Sequence, residues 1–269
     1  MTGRWSADMK FVHFFRVSLR YAESSLTVFE DVLPRTRLAR IRRRLRRLRR
    51  AAGRVRDLDL LDKRLRRLCD ASTNGSAILF EKLASDRARA LRRLEQICRR
   101  RSRTRLRARV KDLTTRVRWR KRCAEPRFPA VAGQAMRVRV EEFVSASETD
   151  LSDPSALHEL RISGKRLRYT TEVLASAFPG RDTEGLCRSL QDVQQKLGAV
   201  TDHAVACAWL TGMCESSDAA TLRELVTAEY DRMETEIAEF NEWLSEHRAA
   251  GSLSFPDSLT VRLSSAIDV

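Results

Sequence analysis

The chain has 269 residues, 42% hydrophobic and 33% charged, enough apolar content for one large core or two modest ones. Aromatics are 6%, and 10 Gly with 6 Pro leave little punctuation for a strand-rich fold, while runs of Arg, Leu, Ala and Glu favour helix. The net charge of +16 is uneven: residues 1–145 hold 41 Lys and Arg against 15 Asp and Glu (+26), and residues 146–269 hold 11 against 21 (−10). This asymmetry points to an anionic partner for the first half, with nucleic acid, anionic lipid and polyphosphate all open. No apolar run approaches the ~18 residues of a membrane span. Cys69, Cys98, Cys123, Cys187, Cys207 and Cys214 form no C-x-x-C pair, and the polar start Met1–Lys10 does not read as a secretory signal. Reduced thiols in a cytoplasmic protein are the expectation.

Helix is predicted nearly throughout. A first helix over about 8–33 stops before Pro34, and an Arg-dense second covers about 36–70. A loop at Ser72–Ser76 leads to one long helix over about 77–123, ended by the turn at Glu125–Pro129. A shorter helix over about 130–147 precedes a linker at Ser147–Ser155. Helices at about 155–178, 183–214 and 218–248 follow, and then the weakly patterned stretch Gly251–Val269. This reading divides the chain into an N-terminal, Arg-rich bundle at 1–147 and a C-terminal bundle at 155–269.

Sliding the sequence by 145 residues places His13 on His158, Arg16 on Arg161, Arg20 on Lys165, Arg43 on Arg188, Gly53 on Gly198, Val55 on Val200 and Asp57 on Asp202. Arg and Leu matches come cheaply in this composition. The His and Gly matches do not, with 4 His and 10 Gly in the chain. The pattern reads as an internal duplication.

On a helical wheel, Phe11, Phe15, Leu19, Ala22, Leu26, Phe29 and Leu33 fall within roughly an 80° stripe that should be core, with His13, Arg16 and Arg20 about 130° away. In the second half Leu157, Leu160, Leu167, Leu174 and Phe178 form the stripe, and His158, Arg161, Lys165 and Arg168 cluster about 120° from it. The second helix places Ile41, Leu45, Leu48, Ala52 and Val55 on one side and Arg43, Arg47, Arg50 and Arg54 opposite, flanked by Arg46. Asp57 falls on that basic side, where a carboxylate would hold guanidiniums in fixed rotamers. Guanidinium donates two parallel hydrogen bonds to phosphate oxygens, and successive helical turns rise about 5 Å, so such a row can meet successive phosphates of an extended chain. A solvated basic face is the bland alternative for one helix and a weaker one for a repeated, His-led face.

Other features carry less. His203 is expected to be an ordinary surface or core histidine, and His247 a solvated one. The basic run Arg99–Arg109 is either solvated or an extension of the anion surface. No phosphate-binding glycine loop, H-E-x-x-H pair or acidic cluster suited to Mg²⁺ occurs, so neither an enzyme nor a metal or cofactor site is expected. No helix-turn-helix, zinc-finger or RNA-recognition signature accompanies the charge, which leaves nucleic-acid binding as the second hypothesis.

Leu157–Tyr169 (L-H-E-L-R-I-S-G-K-R-L-R-Y) resembles the signature helix of the CHAD domain, the conserved-histidine α-helical domain, and Ser189–Asp202 resembles its second motif. Val12–Arg20 and Gly53–Asp59 match more loosely, and the resemblance covers roughly residues 8–215. It implies an all-α fold of two antiparallel four-helix bundles related by a pseudo-twofold axis. It also implies a non-catalytic module for inorganic polyphosphate, with the ligand held where the bundles meet. The residues carried over are His13, Arg16, Arg20, His158, Arg161, Lys165, Arg166 and Arg168, with Arg46 and Arg188 from the second motifs. Asp57 and Asp202 would orient them. With the cytoplasmic setting expected from the cysteines, polyphosphate granules are one place such a protein could reside. The sequence departs from the family at Tyr21 and Glu23, where basic residues are usual, and at Thr201, where Asn is usual. The first-half site should therefore lean on the second-helix arginines, and the second half lacks a clear fourth helix unless Gly251–Val269 supplies it.

Overall fold

A computed structural model of the chain describes residues 9–68, 76–119, 125–214 and 220–249. Its helices are α1 (Met9–Val28), α2 (Arg35–Leu68), α3 (Ser76–Ile97), α4 (Arg100–Thr114), α5 (Phe128–Ser147), α6 (Pro154–Leu174), α7 (Thr183–Cys214) and α8 (Ala220–Ala249), with 3-10 turns at Glu30–Val32 and Ala175–Ala177. No strand occurs among the described residues, so the fold is all-α as expected.

The chain divides into two compact units, Met1–Glu125 with α1–α4 and Pro126–Val269 with α5–α8. The boundary therefore lies earlier than the linker reading placed it, because Ser147–Ser155 is only a tight turn. Asp153 caps α6, its carboxylate accepting the Ser155 N–H at 2.9 Å, and Pro154 opens the helix. So short a connection folds α6 back along α5. The Thr171 hydroxyl lies 3.7 Å from Met136 Sδ, and the Phe143 ring lies where a Cβ on Gly164 would be 3.2 Å away. The fourth helix of the second unit thus precedes the signature helix. Residues 251–269, the source suggested by sequence, lie outside the described residues.

In the first unit, α1 and α2 run antiparallel, joined by Arg49–Glu23 at 2.9 Å and Arg16–Asp57 at 3.5 Å, with Arg42 of α2 meeting Glu30 of the 3-10 turn between them at 2.7 Å. Val12, Leu19, Leu33, Ile41, Leu45, Leu48, Ala52 and Val55 pack with Leu94, Ile97 and Leu113 into one core. Each fully buried aliphatic side chain contributes about 1.5–3 kcal/mol of transfer free energy. Phe11, expected in this core, is 45% exposed, and Val12 is buried instead. The buried stripe of α1 is rotated toward Val12, and Phe11 stacks on Phe15 at its edge, ring centroids 6.3 Å apart.

The expected long helix over 77–123 is two helices. No Gly or Pro marks the break. The Ile97 carbonyl accepts a hydrogen bond from the Arg44 guanidinium of α2, and the Cys98 N–H is shared between the Leu94 and Glu95 carbonyls. Arg99 then leaves helical geometry (φ −48°, ψ 148°). α4 turns back onto α2, where Arg37 meets Asp112 at 2.5 Å.

In the second unit, Leu157, Leu160, Leu167, Leu174 and Phe178 are all buried, as their spacing predicts. His203 is a core residue. Its Nδ1 lies 2.8 Å from Glu229 Oε2 of α8, and both side chains are buried, with Arg232 3.6 Å from the other carboxylate oxygen. His247, expected to be solvated, packs on Trp243, ring centroids 4.2 Å apart.

Candidate functional site

Burial of Val12 and Leu19 turns His13, Arg16 and Arg20 of α1 away from the first core. The imidazole of His13 is exposed and meets Phe14 edge-on at 5.9 Å. Partial burial, and then the cations Arg56 of α2 and Arg16 and Arg20 of α1, hold its pKa below the ordinary 6.5. Arg16, mostly covered, reaches Asp57 of α2. The antiparallel register sets Gly53 level with Arg20, between the Arg16–Asp57 and Arg49–Glu23 pairs. Arg43, Arg46, Arg47, Arg50 and Arg54 are all exposed along α2, a row roughly 17 Å long at 1.5 Å per residue.

In the second unit, His158 is exposed near the start of α6, and Arg161 and Lys165 are half-buried one and two turns on. Arg168 donates to Glu172 at 2.9 Å and to the Gln194 side-chain carbonyl of α7 at 3.2 Å, with its guanidinium 4.5 Å from the Tyr169 ring centre. Asp202 is half-buried on α7. Two carried-over residues stand apart. Arg166 is exposed and points well around the helix from Lys165. Arg188 is exposed near the start of α7, 3.7 Å from Glu184 and 3.9 Å from Asp182, at the opposite end of the α6–α7 pair from His158. Arg43 occupies the matching end of the α1–α2 pair.

One cross-helix contact in each unit falls at positions 145 residues apart. Glu23 and Arg49 are joined across α1 and α2, and the positions 145 further on, Arg168 and Gln194, are joined across α6 and α7. At this level the cation stands on α6 in the second unit and on α2 in the first. Sequence reasoning passed over Arg49 and also Arg56, the cation beside His13; pairing each offset position with its cross-helix neighbour would have found Arg49. It also passed over Arg44 and Arg93, which with Arg47, Gln96 and Ile97 line a cleft of about 340 Å³.

Among the described residues no three His, Cys, Asp or Glu side chains are grouped to hold a metal ion, and no helix is long and apolar enough to cross a membrane. The first unit carries 38 Lys and Arg against 13 Asp and Glu, the second 14 against 23. The basic face of α6 therefore belongs to an otherwise acidic unit, so its cations are a local arrangement rather than a reflection of bulk charge.

Fold and faces together define an all-helical protein with a histidine at the head of a basic helix in each unit. The CHAD domain family model matches residues 2–211, and the chain belongs to that family. Among solved structures it is similar to the CHAD domain from the plant Ricinus communis, with 23% identity, a TM-score of 0.67, and coverage of 94% of this chain and 82% of that one. That likeness concerns the fold. No curated protein matches the chain.

Proposed function

We propose that this protein binds inorganic polyphosphate without transforming it, each unit presenting a His-led basic face on α1–α2 or α6–α7. The observation that carries the reading is the repeated register: His, Arg and a third cation recur at 145-residue spacing on helix pairs bridged at equivalent positions. Guanidiniums on successive turns can take successive phosphates in bidentate fashion, and Asp57 holds Arg16 for that purpose. Nucleic acid is the second reading. The α2 row is favoured for polyphosphate because α2 contains no aromatic residue on which a base could stack. The free thiols of Cys98, Cys187, Cys207 and Cys214 fit a reducing compartment, in keeping with a cytoplasmic protein residing on polyphosphate where it accumulates.

Binding of long-chain polyphosphate to the full chain tests this, alongside the fourfold variant His13→Ala/Arg16→Ala/His158→Ala/Arg161→Ala. Affinity should fall steeply with salt, as counterion release requires, and the variant should lose most of it. The pH response has a definite sign. His13 is held below 6.5 in the free protein by burial and by Arg56, Arg16 and Arg20. A bound polyanion favours the imidazolium and raises that value, so binding takes up a proton. Affinity should rise as pH falls through the range in which His13 titrates, and His13→Ala should flatten this contribution. Displacement of polyphosphate by RNA at equal phosphate concentration and physiological salt would overturn the choice of ligand.

A further inference from the structure

Several arginines of α2 stand against carboxylates, but those lining the cleft formed by α2 and α3 do not. Arg37, Arg42, Arg49 and Arg66 each stand within 2.9 Å of a carboxylate. Arg44, Arg47 and Arg93 instead converge with Gln96 and Ile97 on a space of about 340 Å³ whose lining includes no Asp or Glu. Neither Arg47 nor Arg93 is paired with a carboxylate among the described residues. Arg44 is pinned by the Ile97 carbonyl, which occupies only part of its five-donor guanidinium. Burial first, then Arg47 and Arg109, lower the Arg44 pKa, the mark of a cation gathered among cations and short of an anion.

The lining states what would fit. Its volume lies at the small end of ligand sites, which run from about 300 to 1,000 Å³. Ile97 is its one apolar side chain, and no aromatic faces it, so it offers no platform for a nucleobase. Three guanidiniums and an amide suit the oxygens of a compact, multiply charged anion.

We infer that the cleft lined by Arg44, Arg47, Arg93 and Gln96 is a separate site for a short phosphoanhydride, of the size of pyrophosphate or tripolyphosphate, either free or as the end of a longer chain. It goes beyond the extended-chain reading and shares only Arg47 with it. A chain threaded along α1–α2 is read by its repeat, whereas this cleft reads a compact cluster of charge.

Calorimetric titration of the full chain with tripolyphosphate tests it. Arg44→Gln/Arg93→Gln should weaken binding about tenfold or more, the loss of two charge-assisted donors. Arg89→Gln, an exposed cation of α3 outside both the cleft and the His-led faces, should leave it nearly unchanged. Because Arg44 also caps α3, Arg93→Gln alone is the decisive variant. Arg93 is tied to no carboxylate, so a loss there reports on the ligand. Unmeasurable tripolyphosphate binding to the wild type, or equal affinity in Arg93→Gln, overturns the inference. Long chains with esterified ends distinguish the sources: competition by free-ended chains alone assigns the cleft to chain ends, and equal failure of both assigns it to free short anions. Capped chains that compete as well as free-ended ones would overturn a compact site, since the cleft would then be taking internal phosphates. Binding of tripolyphosphate without binding of long chains would instead refute the extended-chain reading and leave this site standing.

Discussion

The same substitution made at two helical glycines should move stability in opposite directions. Gly53 lies within α2, where Gly costs about 1 kcal/mol relative to Ala. A Cβ there would meet nothing within 4 Å, so packing supplies no reason for glycine and Gly53→Ala should recover the whole helix-propensity term. For a chain of this size about 1 kcal/mol raises Tm by roughly 2–4 °C. Gly198, its offset partner in α7, is equally open and should behave alike. Gly164 is buried in α6, and its Cβ would stand 3.2 Å and 3.5 Å from carbons of the Phe143 ring and 4.0 Å from Leu190. Phe143 is itself only 5% exposed, so it has little room to yield. Overpacking costs of about 1–3 kcal/mol outweigh the propensity gain of about 1 kcal/mol, so Gly164→Ala should destabilise on balance. Urea and thermal denaturation followed by circular dichroism at 222 nm measure all three. A drop in stability for Gly53→Ala would refute the open-space argument, and a rise for Gly164→Ala would show that Phe143 moves aside.

The buried pair between α7 and α8 should respond asymmetrically. His203→Leu removes the partner 2.8 Å from the buried Glu229 carboxylate and should cost about 3–5 kcal/mol, whereas Glu229→Gln keeps a hydrogen-bonding side chain beside His203 and should cost about 1–3 kcal/mol. Equal losses in urea denaturation would contradict this. The thiols of Cys98 and Cys187, each pushed up to about 11 chiefly by burial, should react with iodoacetamide at pH 8 far more slowly than in the unfolded chain. Mass-spectrometric time courses showing equal rates in both states would refute it.

Most of the local architecture was legible in the residues because helical periodicity is a local property. The Leu157–Phe178 and Ile41–Val55 stripes and the basic row from Arg43 to Arg54 are all written at spacings of three, four and seven. The wheel placed Phe11 in the core stripe of α1, yet Val12 is buried and Phe11 is exposed, because the position of α2 decides which flank of the stripe is covered.

Sequence by itself determined the all-helical class, the 145-residue offset and the His-led basic faces. Tertiary structure alone decided three things. It ended α3 at Ile97, where Arg44 from a distant part of the chain captures a carbonyl that local sequence would have left in the helix. It assigned α5 to the second unit, because a turn as short as 148–153 returns α6 along it. It joined Glu23 of α1 to Arg49 of α2, a pairing the helical wheel of either helix alone does not contain. Each of these depends on side chains far apart in the chain meeting in space, and a periodic pattern carries no information about which distant residue will be the neighbour.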